Sequence, residues 1–468
     1  MYPTSIALWG ASDNPLKMGT IQMANILETG YTGTVYPVHP RLDSVLGIPA
    51  VRSVAEIDGP VDLAFLVLPT EVVPGVLEEC GQAGIRRAVI ISGGFKEAAG
   101  TRGHDLEEQI LDIARRYGIR FLGPNCVGIF NGVCNLNTTT IPEPPVGPGI
   151  ALASQSGAYT AMIYPLLEAH GMKICQTLSV GNEADMDLAD CLEYLKDERE
   201  VKAVGLYVET VRRPREFVRA ARETVKSKPV VAMYVGGTEA GSRSALSHTG
   251  ALSGPDGVYD GLFHQAGIIR AEDMDEMLDF LWMFSLQPPA PGPRMAVITN
   301  SGGPGSSLAY HAEHAGLVVP RFSAKLSAEL DAITGRLAFT GNPIDLTFDT
   351  NIFLFKQLLE TVFESGEVDG AFVYGLMGSD FMVNLEKRFP AITYGREIWQ
   401  EQYLQFLREF SAIPQSYDKP MALMSFLGPA SDAIGPLIEL GVPVFPGARC
   451  AARAMRALND YGRIRDNF

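Results

Sequence analysis

The chain has 468 residues, which is too long for a single hydrophobic core, and this length predicts about three domains. Its net charge of −16 argues against a nucleic acid or an anionic membrane surface as the main partner, and its apolar runs are strand-sized, which predicts no membrane span. The 6 cysteines form no CxxC pair, so we expect neither a disulfide framework nor a metal site. Together with an N-terminus that lacks a basic leader, these features predict a reduced, cytoplasmic compartment.

The first region alternates strand and helix patterns, which predicts a parallel sheet with right-handed crossovers. The predicted strands are Ser5–Trp9, Gly33–Val38, Val61–Leu68, Arg87–Ile91 and Ile119–Leu122. Each is followed by a turn containing Gly or Pro, and ligands bind at that carboxyl edge of an open parallel sheet. The first turn, Gly10–Gly19, lacks the middle glycine of a GxGxxG fingerprint. It therefore disfavours an NAD-dependent dehydrogenase and favours another nucleotide-like ligand.

Two proline-rich segments, at 142–148 and 287–293, predict the domain boundaries. The predicted domains are residues 1–141, 149–286 and 294–468. The second contains a strand, a turn at Ser154–Gly157 and a helix over 158–169. Such a corner binds anions through helix N-terminal amides, although a simple helix cap explains the serines as well. The third domain repeats this strand–turn–helix pattern from Arg294 onwards.

His248 lies in the segment Ser-His-Thr-Gly-Ala-Leu-Ser-Gly at 247–254, after a predicted strand at 229–235 and a stretch rich in Gly and Ser. A neutral imidazole is a nucleophile near pH 7 and can carry a covalent intermediate. Taken alone, the loop is also compatible with a surface histidine that has no chemical role.

The ordered motifs carry a family resemblance that no single motif carries. They are Gly-Ala-Ser12, Ser92-Gly-Gly94, Gly-Pro-Asn-Cys126, Ser-Gln-Ser-Gly157, the His248 segment and Asn-Ser-Gly-Gly-Pro-Gly305. The chain resembles the α subunits of ADP-forming acyl-CoA synthetases, relatives of the succinyl-CoA synthetase α subunit. The resemblance covers nearly the whole chain. It implies an α/β fold with a Rossmann-like CoA-binding domain followed by two flavodoxin-like parallel-sheet domains.

The resemblance also implies roles for individual residues. His248 would be phosphorylated, and Glu209 would orient its imidazole. Helix N-terminal amides would bind the phosphoryl group at Ser154, Gln155, Ser156 and Gly157. The CoA site would contain Gly10, Ala11, Ser12, Met18, Gly19, Val38, His39, Pro69, Ser92, Gly93, Gly94, Asn125 and Cys126. His39 departs from the family, which usually has Asn there. Cys126 is interpreted as a wall residue rather than an acyl-carrying nucleophile.

The implied reaction converts ATP, a small carboxylic acid and CoA into ADP, phosphate and acyl-CoA. The sequence contains neither a P-loop nor a segment resembling an ATP-grasp domain. We therefore expect a separate ATP-grasp β subunit in an α₂β₂-like heteromer, which would supply the site for ATP/ADP and Mg²⁺. The alternative from another class is a non-catalytic CoA- or acyl-CoA-binding regulator on the same scaffold.

Overall fold

A computed structural model describes residues 1–98, 101–241, 254–335, 337–349, 351–376, 385, 388–389, 396–431 and 433–467. The chain divides into two compact units. One comprises residues 1–168 and 172–272, and the other comprises 169–171 and 273–468. Among the described residues, no helix combines the length and apolar character needed to cross a membrane.

The first sheet of unit 1 is parallel, with strand order β2-β1-β5-β6-β7. One face of this sheet packs on two helices, and the core there is made of apolar residues that alternate along the strands, such as Ala64 and Leu66. A two-stranded hairpin, β3–β4, lies outside the sheet. The elements are β1 Ser5–Trp9, α1 Met18–Glu28, β2 Thr34–Val38, β3 Ser44–Val45, β4 Ile48–Pro49, β5 Leu63–Leu66, α2 Val73–Gln82, β6 Arg87–Ile90, α3 Arg102–Tyr117 and β7 Arg120–Leu122.

The second sheet of unit 1 has seven strands in the order β14-β13-β12-β10-β11-β8-β9. Strands β8 and β9 run antiparallel and extend this sheet, although they precede the proline-rich segment. The elements are β8 Ile129–Asn131, β9 Leu136–Asn137, β10 Val146–Ser154, α4 Ala158–Ala161, α5 Tyr164–Ala169, β11 Ile174–Ser179, α6 Leu188–Leu195, β12 Val201–Val208, α7 Pro214–Val225, β13 Val230–Tyr234, α8 Asp256–Ala266 and β14 Ile269–Ala271.

The helix predicted over residues 158–169 was wrong in one respect, because it is two short helices, α4 and α5. Pro165 is the second residue of α5. A proline has no N–H to continue a helical ladder, and its ring clashes with the carbonyl four residues earlier. The corner after β10 therefore leads into a helix of a single turn.

Unit 2 contains a parallel sheet with strand order β16-β15-β17-β18-β19. The three sheets together confirm the predicted α/β class with parallel sheets. The elements are α9 Met274–Leu286, β15 Met295–Thr299, α10 Gly302–His314, α11 Ala324–Ile333, β16 Ile344–Asp345, α12 Phe353–Glu364, β17 Gly370–Tyr374, α13 Arg396–Tyr417, β18 Met421–Met424, α14 Gly435–Glu439, β19 Val444–Phe445 and α15 Ala448–Arg465.

Candidate functional site

A cleft of about 580 Å³ opens at the carboxyl edge of the first sheet, where the turns after β1, β2 and β5 meet. Seven of the thirteen residues predicted for the CoA site line this cleft. They are Gly10, Ala11, Met18, Gly19, Val38, His39 and Pro69. Strand register explains the convergence, because β1 lies between β2 and β5 and all three strands point the same way.

Two glycines let the turn after β1 pack closely against its neighbours: Gly10 allows contact with the residues after β5, and Gly19 allows contact with helix α1, to which it belongs. Gly10 has φ +95°, and a Cβ on it would lie 1.8 Å from the carbonyl oxygen of Val67. A Cβ on Gly19 would lie 2.7 Å from the carbonyl carbon of Gly10. Ser12 does not line the cleft; its N–H donates to Thr20 Oγ1 at 3.1 Å, and that hydroxyl donates back to the Ser12 carbonyl at 2.9 Å. Both contacts fix the same turn.

The rim of the cleft carries two cations, Lys17 and Arg52. His39 also lines the cleft, and the acidic residue in its lining is Glu79. The Glu79 carboxylate accepts hydrogen bonds from Ser53 Oγ and from the Val54 N–H. Its charge is therefore partly compensated within the protein, and the rim suits an anionic ligand.

His39 is oriented by the backbone that follows it. Its Nδ1 accepts hydrogen bonds from the N–H groups of Arg41 at 3.2 Å and Leu42 at 2.9 Å. An accepting Nδ1 places the proton of a neutral imidazole on Nε2. Partial burial and the nearby cations Arg41, Lys17 and Arg52 lower the pKa of His39.

The predicted residues Ser92, Gly93, Gly94 and Asn125 come together in a second place, outside the lining of the cleft. Asn125 N–H donates to the Ser92 carbonyl at 2.8 Å. A Cβ on Gly93 would lie 3.1 Å from Asn125 Oδ1, so this turn needs a small residue. Gly94 has φ +100°, and its N–H donates to Glu97 Oε1 at 2.5 Å. The Thr70 hydroxyl donates a hydrogen bond to the Gly93 carbonyl.

Asn182 links that turn to the second sheet. Asn125 Nδ2 donates to Asn182 Oδ1 at 3.2 Å, and Asn182 Nδ2 donates to Glu97 Oε2 at 2.5 Å. The partly buried Lys96 ammonium donates to the Asn182 carbonyl at 2.7 Å. The turns after β6, β7 and β11 are thus held together by polar side chains.

Cys126 lies beside this cluster but is poorly suited to nucleophilic chemistry. It is buried, and its Sγ donates to the Ile90 carbonyl at 3.3 Å. Burial raises the pKa of the thiol to about 12, so the thiolate is scarce at neutral pH. This environment fits the expected wall residue.

The corner at Ser154–Gly157 is internally bonded. Ser154 Oγ accepts from the Ser156 N–H at 3.0 Å and donates to the Ser156 carbonyl at 2.7 Å. A Cβ on Gly157 would lie 2.5 Å from Val127 Cγ1. The first N–H groups of α4, which begins at Ala158, have no partner inside the helix, as at any helix start. Those groups are the donors that an anion could use.

Gln155 was expected to bind phosphate, but its side chain is hydrogen-bonded to other protein groups. Its side chain is 2% exposed, and all of its polar atoms contact protein. Nε2 donates to Glu183 Oε2 at 2.7 Å and to the Thr210 carbonyl at 2.9 Å. Oε1 accepts from the N–H of Glu209 at 2.5 Å and of Thr210 at 3.1 Å. The Gln155 N–H donates to the Tyr207 carbonyl at 3.3 Å, so Gln155 is occupied within the protein.

Glu183 was missed by the sequence interpretation. It lies in the turn that begins after β11 ends at Ser179, and Glu209 comes directly after β12, so a carboxylate close behind a strand end was the available signal. Its Oε1 accepts from the Leu188 N–H at 2.9 Å. Burial and the adjacent Asp187 raise the pKa of Glu183 to about 8.

His248 lies outside the described residues, as do 242–253 as a whole. The described residues on either side of that segment can be placed relative to β12 and β13. Glu209 follows β12, and β12 pairs with β13, after which the segment begins. On the far side, the Tyr234 hydroxyl donates to the Gly254 carbonyl at 2.7 Å. Within the described part of the chain, no three His, Cys, Asp or Glu side chains form a group suited to a metal ion.

Two family models match adjacent stretches of the chain. A family model described as a CoA binding domain matches residues 4–132, and one described as a succinyl-CoA ligase like flavodoxin domain matches residues 147–284. Subunit alpha of acetate–CoA ligase (ADP-forming) II from Pyrococcus furiosus is 42% identical over 74% of this chain and 74% of its own. Subunit alpha of acetate–CoA ligase (ADP-forming) I from the same organism is 34% identical over 98% of this chain and 96% of its own. The chain belongs to the family of the ADP-forming acyl-CoA synthetase α subunits.

A solved structure supports this membership. Acetyl-coenzyme A synthetase 1 of Candidatus Korarchaeum cryptofilum, described as dinucleotide forming and solved with phosphate and ADP, matches with a TM-score of 0.85 and 29% identity. The match covers 99% of this chain and 96% of that one. Other relatives are longer single chains, and the present chain spans 49% to 53% of the length of two of them. The predicted family and fold are confirmed, and the membership favours a catalytic ligase chain over a regulatory protein.

Proposed function

We propose that this chain binds CoA in the cleft at the carboxyl edge of the first sheet. The observation that carries the proposal is the convergence of Gly10, Gly19, Val38, His39 and Pro69 on that one cleft. The close approach of α1 leaves backbone surface for a phosphate-containing ligand, and the cationic rim suits the charge of CoA. Asn125 and the Ser92–Gly94 turn would receive the thiol end and the acyl group.

We propose further that His248 carries the phosphoryl group and that Glu209 orients its imidazole. A carboxylate that accepts a hydrogen bond from one imidazole nitrogen leaves the other nitrogen free to attack. The donors at the start of α4 would hold the phosphoryl group after transfer. Glu209 is 5% exposed, so its position is set by packing and by the backbone contacts around it.

The proposed reaction has three steps. In the direction of acyl-CoA cleavage, phosphate attacks the thioester carbonyl, the C–S bond breaks, and acyl phosphate and CoA are formed. The His248 imidazole then attacks phosphorus, the bond to the acyl oxygen breaks, and the carboxylate leaves. The phosphohistidine finally transfers its phosphoryl group to ADP. The opposite direction activates the carboxylic acid.

The nucleotide step needs a further chain. The α-subunit relatives are parts of larger enzymes by name, and other relatives are longer single chains. We propose a separate ATP-grasp β subunit in an α₂β₂-like heteromer. Since the described residues offer no group suited to a metal ion, we assign Mg²⁺ to the nucleotide site of that partner. The carboxylic acid belongs to the small acids, with acetate as the first to try because five relatives are named for it.

The test uses the chain alone, because acyl-CoA and phosphate should phosphorylate it without nucleotide. The purified chain is incubated with acetyl-CoA and ³²P-labelled phosphate, and His248→Asn is treated in parallel. We expect acid-labile, base-stable label on the wild type and none on the variant. A wild-type chain that binds CoA but takes no label with any of a panel of acyl-CoAs would contradict the proposal.

A further inference from the structure

The Gln155 amide stands between a buried carboxyl group and the backbone that carries Glu209. Its hydrogen-bond partners fix which way the amide faces. The N–H groups of Glu209 and Thr210 can only donate, so they must face Oε1, and the Thr210 carbonyl can only accept, so it must face Nε2. A flipped amide would set donor against donor. The remaining Nε2 hydrogen therefore points to Glu183, 2.7 Å away.

The Glu183 carboxyl group that accepts from Gln155 is itself held in place. Glu183 is 2% exposed, and its other oxygen accepts from the Leu188 N–H at the start of α6. A buried amide with satisfied donors and acceptors holds one geometry, because any displacement leaves a polar group unpaired. The peptide groups on both sides of Glu209 are thus tied through Gln155 to a different strand end.

Unit 2 shows that the corner itself does not need this arrangement. After β15, Thr299 Oγ1 accepts from the Ser301 N–H at 3.0 Å and donates to the Ser301 carbonyl at 2.9 Å, the same turn as at Ser154. There the middle residue is Asn300, whose amide donates to the Gly375 carbonyl at 3.2 Å.

The residues after the strand that pairs with the corner strand also differ. In unit 1, β12 is followed by Glu209 and Thr210. In unit 2, β17 is followed by Gly375 and Leu376, and neither carries a carboxylate. The corner that has Gln155 and its contact with the Glu183 carboxyl group is thus also the one that is followed across the sheet by Glu209. This coincidence points to a function of Gln155 beyond folding the corner.

We propose that Gln155 and Glu183 are positioning residues for phosphoryl transfer: Glu183 anchors the Gln155 amide, and this amide fixes the backbone from which the Glu209 side chain projects. The inference rests on the proposed function, because it assigns to Glu209 the orientation of the phosphorylated histidine. Neither Gln155 nor Glu183 touches the reacting atoms. Both act through the backbone at Glu209 and Thr210.

The chain offers a matched control pair in the same unit. Gln176 is fully buried on β11, and its Nε2 donates to Glu198 Oε2 at 2.8 Å. Gln176 lies near the start of β11, and Glu198 precedes β12, so this Gln–Glu pair belongs to the opposite edge of the same sheet. Gln155→Met and Gln176→Met each remove one such amide while keeping an unbranched side chain.

The experiment measures the rate of His248 labelling by acetyl-CoA and ³²P-labelled phosphate in a single turnover, with the CoA dissociation constant and the melting temperature of each full-length variant. We expect Gln155→Met to slow labelling about a hundredfold, as a small misplacement of a reacting group does. Its CoA affinity should stay at the wild-type value. Gln176→Met should label at the wild-type rate even if it melts earlier.

A second variant keeps the test independent of the stability of Gln155→Met. Glu183→Gln preserves the shape of the side chain but cannot ionise. In the wild type, burial and Asp187 raise the pKa of Glu183 to about 8, and Arg212 opposes this shift; Lys96 and Cys191 also face the Glu183 carboxyl group. The ionised carboxylate is the stronger acceptor, so the wild-type rate should rise as the pH passes through about 8. The variant should lack this rise.

Equal labelling rates in Gln155→Met, Gln176→Met and the wild type would overturn the inference, as would a wild-type pH profile that persists in Glu183→Gln. An equal slowing of both methionine variants would overturn it too, because it would reduce Gln155 to a packing role. These results differ from failure of the proposed function, in which the wild type itself takes no label.

Discussion

Replacing Gly19 by alanine tests the proposed CoA cleft where α1 contacts the turn after β1. The added Cβ would lie 2.7 Å from both the carbonyl carbon and the oxygen of Gly10, which is below the 3.0 Å that real Cβ atoms keep. These atoms belong to backbone, so α1 must move away from the turn after β1. Overpacking of this kind costs about 1–3 kcal/mol. Since the moved α1 lines the cleft, we expect this free energy to be lost from CoA binding, and the dissociation constant for CoA should rise about 5- to 150-fold.

The assay is calorimetric titration of the full chain with CoA, and Gly75→Ala serves as the control. Gly75 also lies in a helix, α2, and a Cβ there meets no atom within 4 Å. That control should bind CoA like the wild type and gain up to about 1 kcal/mol from helix propensity. If Gly19→Ala bound CoA with the wild-type affinity, the cleft would not be the CoA site.

Three further results follow from the structure. The Cys126 thiol, with its pKa raised to about 12, should resist iodoacetamide at pH 7 until the protein unfolds; rapid alkylation seen by mass spectrometry would contradict this. Between pH 4.5 and about 8, folded Glu183 stays protonated while the unfolded chain ionises, so this group lowers stability by roughly 4–5 kcal/mol as pH rises. In urea titrations, the free energy of unfolding of Glu183→Gln should therefore increase relative to that of the wild type from pH 5 to pH 8.5. A difference between the two proteins that stays constant over this range would refute the raised pKa of Glu183. Arg294 donates to the buried Asp369 from Nε and Nη2, so Arg294→Ala should lower the free energy of unfolding by about 3 kcal/mol in urea titrations, and a loss below about 1 kcal/mol would count against it.

The sequence was sufficient to predict that the glycine turns and strand ends would converge. Gly10, Val38 and Pro69 each follow or end a strand, and parallel strands bring their carboxyl ends to one edge. The break at Pro165 was also present in the sequence, since an interior proline removes a donor from a helix.

The side-chain network around Gln155 was not predictable from sequence. Its partners, Glu183 and Thr210, lie 28 and 55 residues away, and only strand order places them next to each other. The pairing of β8 with β11 has the same origin. A hairpin of short strands gives no sequence signal for the sheet that it will join, because that choice depends on which edge is open.

The most direct test of the central claim is to discharge the phosphorylated chain. The chain is labelled with acetyl-CoA and ³²P-labelled phosphate, freed of small molecules, and then given acetate and CoA, while His248 is checked for the phosphoryl group by mass spectrometry. We expect the label to leave His248 as phosphate, with one acetyl-CoA formed for each phosphate released. Acetyl-CoA formation with the label retained, or label on a residue other than His248, would rule out His248 as the phosphoryl carrier.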